Sequence, residues 1–153
     1  MDISLLCINR AKHQITWSGA NNQLWYIQCG NLSSNNFSAS LSFQTESKHS
    51  NKMLNEIKAN KQAIGKTYNP SPFSTHVLEL KIGDMFYLLT DGFADQFGGP
   101  KGKKYKYKAL AEKLSSISHL DLTEQKQELQ SSFQEWKGEL EQVDDVTIIG
   151  IRV

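Results

Sequence analysis

The stretch Gly83-Asp84-Met85-Phe86-Tyr87-Leu88-Leu89-Thr90-Asp91-Gly92 constrains the fold more than any other part of the chain. Its centre, Met85 to Leu89, is a continuous apolar run with Gly-Asp on one side and Asp-Gly on the other. A short run of large side chains between turn signals reads as a strand buried on both faces. Gly92 permits a sharp exit that leaves the Asp91 carboxylate at the rim, and Asp95 follows closely. Carboxylates at strand ends are common material for Mg²⁺ and Mn²⁺ sites, because hard cations prefer oxygen ligands. Asp-Gly is also an ordinary turn after a strand, and Asp95 suits a helix cap. Taken alone, Asp91-Gly92 favours that plainer explanation, since short motifs match by chance. A second acidic pair shifts the balance. Gln142-Val143-Asp144-Asp145 leads into the β-branched run Val146 to Val153. Two acidic strand termini meet at one metal if their strands lie side by side.

The segments GDMFYLLTDGFADQFGG and WKGELEQVDDVTIIGIRV closely resemble the C-terminal half of bacterial metal-dependent (PPM-type) serine/threonine phosphatases. The subgroup is the stage II sporulation protein E-like and sigma-factor-regulating one. MDISLLCIN, ITWSGANNQLWYI and IKANKQAIG are similar to its middle segments in the same order, so the resemblance covers nearly the whole chain. It implies an α/β (α+β) fold, an antiparallel β-sandwich flanked by helices with metals at one end. It implies Asp91 and Asp144 as metal ligands, with Gly92 and Asp145 behind them. Asp95 matches an acidic position near an additional, weaker metal. The cofactor implied is Mg²⁺ or Mn²⁺, with a two-metal site expected in the complete domain and a weak or empty one here. The implied reaction is attack of a metal-activated water on phosphoserine or phosphothreonine of a protein substrate, with no covalent nucleophile. A phosphotransferase with an Asp-x-Asp nucleophile is disfavoured, because Leu89 stands two residues before Asp91.

The match is incomplete at the N-terminus. The family's first acidic ligand and its Asp-x-x-Gly-His-Gly loop lie upstream of the segment matching Met1-Asp2-Ile3, and no His here is flanked by Gly. The expectation is therefore a single domain, residues 1–153, that is the C-terminal part of a phosphatase domain and inactive alone. The alternatives are a non-catalytic phosphatase-like module for binding or regulation, and a purely structural fragment. Relatives also place an aspartate directly after the glycine matching Gly19. Here Ala20 and Asn21 follow, which counts against an additional metal.

A chain of 153 residues is long enough for one domain with a real core. A formal net charge of +1 gives no reason to invoke nucleic acid or a membrane surface. No run approaches a transmembrane helix in length. Lys101 to Lys108, with Tyr105 and Tyr107 interleaved, reads as a solvated loop or a flap over the site. Cys7 and Cys29 have no metal-binding spacing and are expected as buried free thiols, which suits a reducing cytoplasm.

Ile3 to Ile8 and His13 to Ser18 read as a hairpin, Gly19 to Asn22 as a turn, and Leu24 to Ile27 as a strand. An Asn/Ser-rich loop, Gly30 to Ser40, precedes weaker strands Leu41 to Thr45 and Met53 to Ile57 around a polar tip, Glu46 to Lys52. Ser74 to Leu80 is expected to pair with Met85 to Thr90 through a Lys81–Asp84 turn. Two amphipathic helices carry Leu110, Leu114, Ile117 and Leu129, Phe133, Trp136, with Asp121 or Thr123 as N-cap and Gly138 as stop. Ile3 to Ile8 has no Lys, Pro or Gly to blunt an exposed strand edge, so a homo-oligomer is expected.

Overall fold

The computed structural model describes residues 1–29, 45–47, 50–65, 68 and 70–153. The Asn/Ser-rich stretch, the strand start at 41–44 and His49 lie outside these. In chain order the strands are β1 (Ile3–Asn9), β2 (Gln14–Ala20), β3 (Leu24–Ile27), β4 (Thr45–Ser47), β5 (Ser50–Ile57), β6 (His76–Glu79) and β7 (Met85–Leu89). Helix α1 (Gly92–Asp95), short strands β8 (Phe97–Gly98) and β9 (Lys103–Lys104), helices α2 (Tyr107–Ile117) and α3 (Leu122–Lys137), and β10 (Ile148–Arg152) complete the order.

The composition of β7 sets the layering. Met85, Tyr87 and Leu89 pack with Trp25, Leu54 and Phe93 and with Leu110, Leu114 and Phe133 of the helices. Phe86 faces the other way, among Ile15, Trp17, Leu24, Tyr26, Ile57 and Leu78. Each such side chain contributes about 1.5–3 kcal/mol on full burial, so the strand needs cover on both faces. That cover is an antiparallel three-stranded sheet, β1-β2-β6, on one side and α2 and α3 on the other. Between them lies the five-stranded antiparallel sheet β10-β7-β3-β5-β4. The expected antiparallel sandwich with helices outside is present. Among the described residues no helix is long and apolar enough to cross a membrane.

The strand before β7 does not pair with it, contrary to the sequence expectation. β6 pairs with β2, with Ile15 opposite Leu78, while β7 takes β3 and β10 as neighbours. Leu78 is buried but Val77 is exposed. A strand with one wet face belongs on an outer sheet. The link from β6 to β7 therefore crosses between sheets, and Asp84, 0% exposed, organises the crossing. Its Oδ1 accepts the Cys29 N–H at 2.8 Å and its Oδ2 accepts the Lys81 N–H at 2.9 Å. Gly83 has φ +91°, a conformation that glycine adopts readily.

Other expectations shift in detail. The polar tip after β4 is mostly strand, because β5 begins at Ser50. The final strand is confined to Ile148–Arg152. Neither cysteine is buried. Alternation along β1 turns Leu6 toward the inter-sheet core and Cys7 to the outer face. Cys29 is half-buried and its thiol donates to the Gly83 carbonyl at 3.0 Å.

The α2 stripe of Leu110, Leu114 and Ile117 is buried as expected. Helix α3 starts at Asp121, not Thr123, through a reciprocal cap: Asp121 Oδ1 accepts the Glu124 N–H, and Glu124 Oε2 accepts the Asp121 N–H. Gly138, φ +54°, ends it. Of its expected stripe Phe133 is fully buried, whereas Leu129 and Trp136 are half-buried. Trp136 has other work. Its Nε1 donates to the Gln96 carbonyl at 3.0 Å, and its backbone carbonyl accepts the Gly99 N–H at 2.8 Å. The stretch expected as a loop is thereby seated on α3 as the β8–β9 hairpin, and a Cβ at Gly98 would overlap the Trp136 carbonyl.

Candidate metal centre

The register of β7 on β10 runs from Arg152 opposite Met85 to Ile148 opposite Leu89. Beyond that last pair the two chains stay joined. The Thr90 N–H donates to the Thr147 carbonyl at 3.0 Å, and the Thr147 N–H donates to Thr90 Oγ1 at 3.0 Å. The Thr90 hydroxyl donates in turn to the Asp145 carbonyl at 3.0 Å. Asp91 follows Thr90 and Asp144 precedes Asp145, so both acids stand at one end of the five-stranded sheet. The side-by-side pairing of β7 and β10 produces this.

The ordinary explanations for these acids are only partly realised. Asp91 occupies the N-cap position of α1, yet its side chain makes no cap hydrogen bond. Its carbonyl accepts the Asp95 N–H at 2.9 Å while the carboxylate is exposed. Asp144 is also exposed, and its Oδ1 accepts the Asp145 N–H at 2.7 Å. Gln142 Nε2 donates to the Asp144 carbonyl at 2.8 Å, steadying the loop. Asp95 is no cap. It closes α1 and is paired with Lys104 Nζ at 2.9 Å, across from the β8–β9 hairpin.

Gly92 is needed here for a reason other than a sharp turn. Its backbone is helical, with no positive φ. What matters is the missing side chain. A Cβ there would overlap the Asp145 carbonyl oxygen and stand 2.9 Å from its carbon and 3.3 Å from Val146 Cγ2. Asp145 thus acts through its carbonyl, wedged between the Thr90 hydroxyl and Gly92.

Two residues that sequence reasoning missed complete the surroundings. Gln96, fully buried, donates from Nε2 to the Glu141 carbonyl at 2.9 Å and accepts the Val143 N–H at 3.2 Å. It ties the approach to Asp144 back to α1. Tyr107 opens α2. Burial first, then the Asp91 and Asp95 carboxylates, hold its phenol above the usual tyrosine range, and a hydrogen bond from Gln23 opposes this. No motif marks Tyr107, whereas Gln96 lies within the same motif as Asp91. Asn21 donates from Nδ2 to Asp2 Oδ1 at 2.8 Å.

The exposed donors at this end are carboxylate oxygens, which suit a hard divalent cation. Two carboxylates leave most of a six-coordinate shell to water. Among the described residues no group of three or more His, Cys, Asp or Glu is disposed to hold a metal. The residues fit such an ion by donor type and would supply only part of its shell.

Residues 42–153 match the family model for Stage II sporulation protein E. Among solved structures, the SiaA-PP2C domain of Pseudomonas aeruginosa is 26% identical, with TM-score 0.77 over 99% of this chain and 51% of that one. The PP2C phosphatase domain of the cell fate determinant SpoIIE from Bacillus subtilis, with a fragment of its regulatory domain, has the same fold at 16% identity. Its TM-score is 0.65, over 99% of this chain and 37% of that one. A manganese-presoaked structure of the SpoIIE phosphatase domain gives 16% identity and TM-score 0.62, over 100% of this chain and 56% of that one. The chain spans about half the length of the SiaA domain. No curated protein sequence matches it. With most of its length matched and a PP2C-type phosphatase fold, the chain belongs to the Stage II sporulation protein E family.

Proposed function

We propose that this chain is the C-terminal part of a metal-dependent phosphoserine/phosphothreonine protein phosphatase of the regulatory signalling type, with Asp91 and Asp144 as ligands of Mg²⁺ or Mn²⁺. The observation that carries this is the junction of β7 with β10. There the Thr90 hydroxyl joins the strand end leading into Asp91 to the loop that carries Asp144, and neither exposed acid has an ion pair among the described residues. Manganese was soaked into the Bacillus subtilis relative, which supports that ion as the first to try. A divalent ion held here would bind phosphate oxygens and make water a stronger nucleophile. Asp91 and Asp144 bind, Gly92 and Asp145 keep the two loops in contact, and Lys104 neutralises Asp95. Asp95, paired here with Lys104, is the candidate ligand for any further cation. The substrate class is a phosphorylated protein. Two free cysteines, one of them exposed, fit a reducing cytoplasm.

The 153-residue chain is expected to bind Mn²⁺ weakly, to lose that binding on Asp91→Asn, and to hydrolyse a phosphopeptide hardly at all. Electron paramagnetic resonance of free Mn²⁺ and a phosphate-release assay measure the two. Robust manganese-dependent turnover that Asp91→Asn abolishes would show that this half carries a sufficient site. Absence of Asp91-dependent binding would favour the non-catalytic binding module.

The same chain is proposed to self-associate. β1 lies at the edge of the three-stranded sheet, and Leu5 and Val77, 63% and 44% exposed, share its outer face. An open edge beside an apolar face favours pairing with a second copy. Sedimentation at micromolar concentration should show a dimer or larger species, and a clean monomer rejects this.

A further inference from the structure

The joint between β7 and β10 depends on a side chain that neither the apolar pattern nor the acidic motifs single out. Regular pairing of the two strands stops at Leu89 and Ile148. From there the Thr90 hydroxyl does what a ladder would do, donating to the Asp145 carbonyl and accepting from the Thr147 amide, each at 3.0 Å. A threonine at a strand end is commonly just a β-branched residue that suits extended backbone. Here its oxygen is saturated by groups on the loop that carries Asp144. The carbonyl it holds belongs to the residue after Asp144, and the peptide after Thr90 leads directly into Asp91. Besides the Thr90 N–H bond to the Thr147 carbonyl, this hydroxyl ties the strand end leading into Asp91 to the loop that carries Asp144.

We propose that Thr90 is the positioning residue of the metal centre, setting Asp91 and Asp144 at the separation at which both reach one cation. The inference rests on the reading of those acids as metal ligands. Groups that orient metal ligands are worth roughly 10–100-fold in metal affinity when removed. Thr90 is partly buried, while Asp145 and Thr147 are exposed, so water satisfies the carbonyl and amide when the hydroxyl is gone. The effect falls on geometry more than on folding.

The test uses the full 153-residue chain with Mn²⁺ alone as probe, titrated by electron paramagnetic resonance, and thermal melting alongside. Thr90→Val keeps the branched shape without the hydroxyl, and Thr90→Ser keeps the hydroxyl without the methyl. The expected result is about tenfold weaker Mn²⁺ binding for Thr90→Val, with melting close to wild type and binding restored in Thr90→Ser. Thr90→Val binding Mn²⁺ as tightly as wild type would overturn the proposal and leave the metal reading standing. A Thr90→Ser chain as weak as the valine variant would overturn it too, and serves if valine disturbs folding. Wild-type binding that does not depend on Asp91 would overturn both readings.

Discussion

Asp84→Ala is expected to destabilise the fold by about 2–4 kcal/mol, the cost of removing a charged acceptor from two backbone amides. In a chain of this size that lowers the melting temperature by roughly 10 °C. Asp84 is fully buried and touches no cation among the described residues, so its charge is held by the Cys29 and Lys81 amides. The two losses are unequal. Lys81 is exposed and its amide regains water, whereas the Cys29 amide, in a half-buried residue, regains less. The backbone of Asp84 adds a further tie, because its carbonyl accepts the Val153 N–H at 3.0 Å and the Gly83 N–H reaches the Val153 carbonyl. Loss of the carboxylate thus loosens β3, the crossing from β6 and the end of β10 together. Asp84→Asn, which keeps one acceptor oxygen and presents a donor to the other amide, should fall between. Thermal melting followed by circular dichroism measures all three proteins. An alanine variant melting within about a degree of wild type would show that the carboxylate does not organise the crossing.

Elements whose signal is local were legible. Met85 to Leu89 declared a doubly buried strand through side-chain size and its flanking Gly-Asp and Asp-Gly. Gly138 marked the end of α3 and left its start between Asp121 and Thr123, of which Asp121 is the cap. Partners set by distant groups were not. The imperfect alternation of Val77, Leu78 and Leu80 did not choose a sheet, and the short link to β7 looked like a hairpin turn. The choice rests on a buried carboxylate meeting an amide 55 residues away. The β8–β9 hairpin was hidden for the same reason, since Gly98-Gly99-Pro100 looks like loop until Trp136 is laid against it. Cys7 was misplaced because burial was read from residue type, whereas strand parity decided it.

The site divides along the same line. The acids at strand ends could be picked out, and the resemblance paired their strands. Lys104 on Asp95 depends on the β8–β9 hairpin, and the approach of Tyr107 depends on where that hairpin delivers the start of α2. Gly92 was marked for a turn that its helical backbone does not make. Sequence suggests a flexible turn, and only the location of the Asp145 carbonyl shows that space is what it provides.

Gly92→Ala is the change expected to couple the largest loss of metal binding to a loss of stability. Helix propensity alone predicts the opposite, since alanine is favoured over glycine by about 1 kcal/mol in a helix interior. A four-residue helix realises little of that gain. Against it, the new Cβ would overlap the Asp145 carbonyl oxygen, a backbone atom that cannot rotate away. Overpacking of this kind costs about 1–3 kcal/mol. Relief by moving the loop breaks the Thr90–Asp145 bond, worth about 1 kcal/mol more. The net expectation is a destabilisation of about 1–3 kcal/mol, with Asp144 displaced from Asp91 and Mn²⁺ binding lost. Gly102→Ala separates space from conformation: Gly102 has φ +55° with nothing within 4 Å of its Cβ position. That substitution should cost roughly 1–2 kcal/mol of backbone strain while leaving Mn²⁺ binding alone. Melting curves and Mn²⁺ titrations of the two variants decide the matter. If Gly92→Ala keeps wild-type stability and wild-type Mn²⁺ affinity, the two acidic loops are independent of one another, and a metal centre built on their contact has to be abandoned.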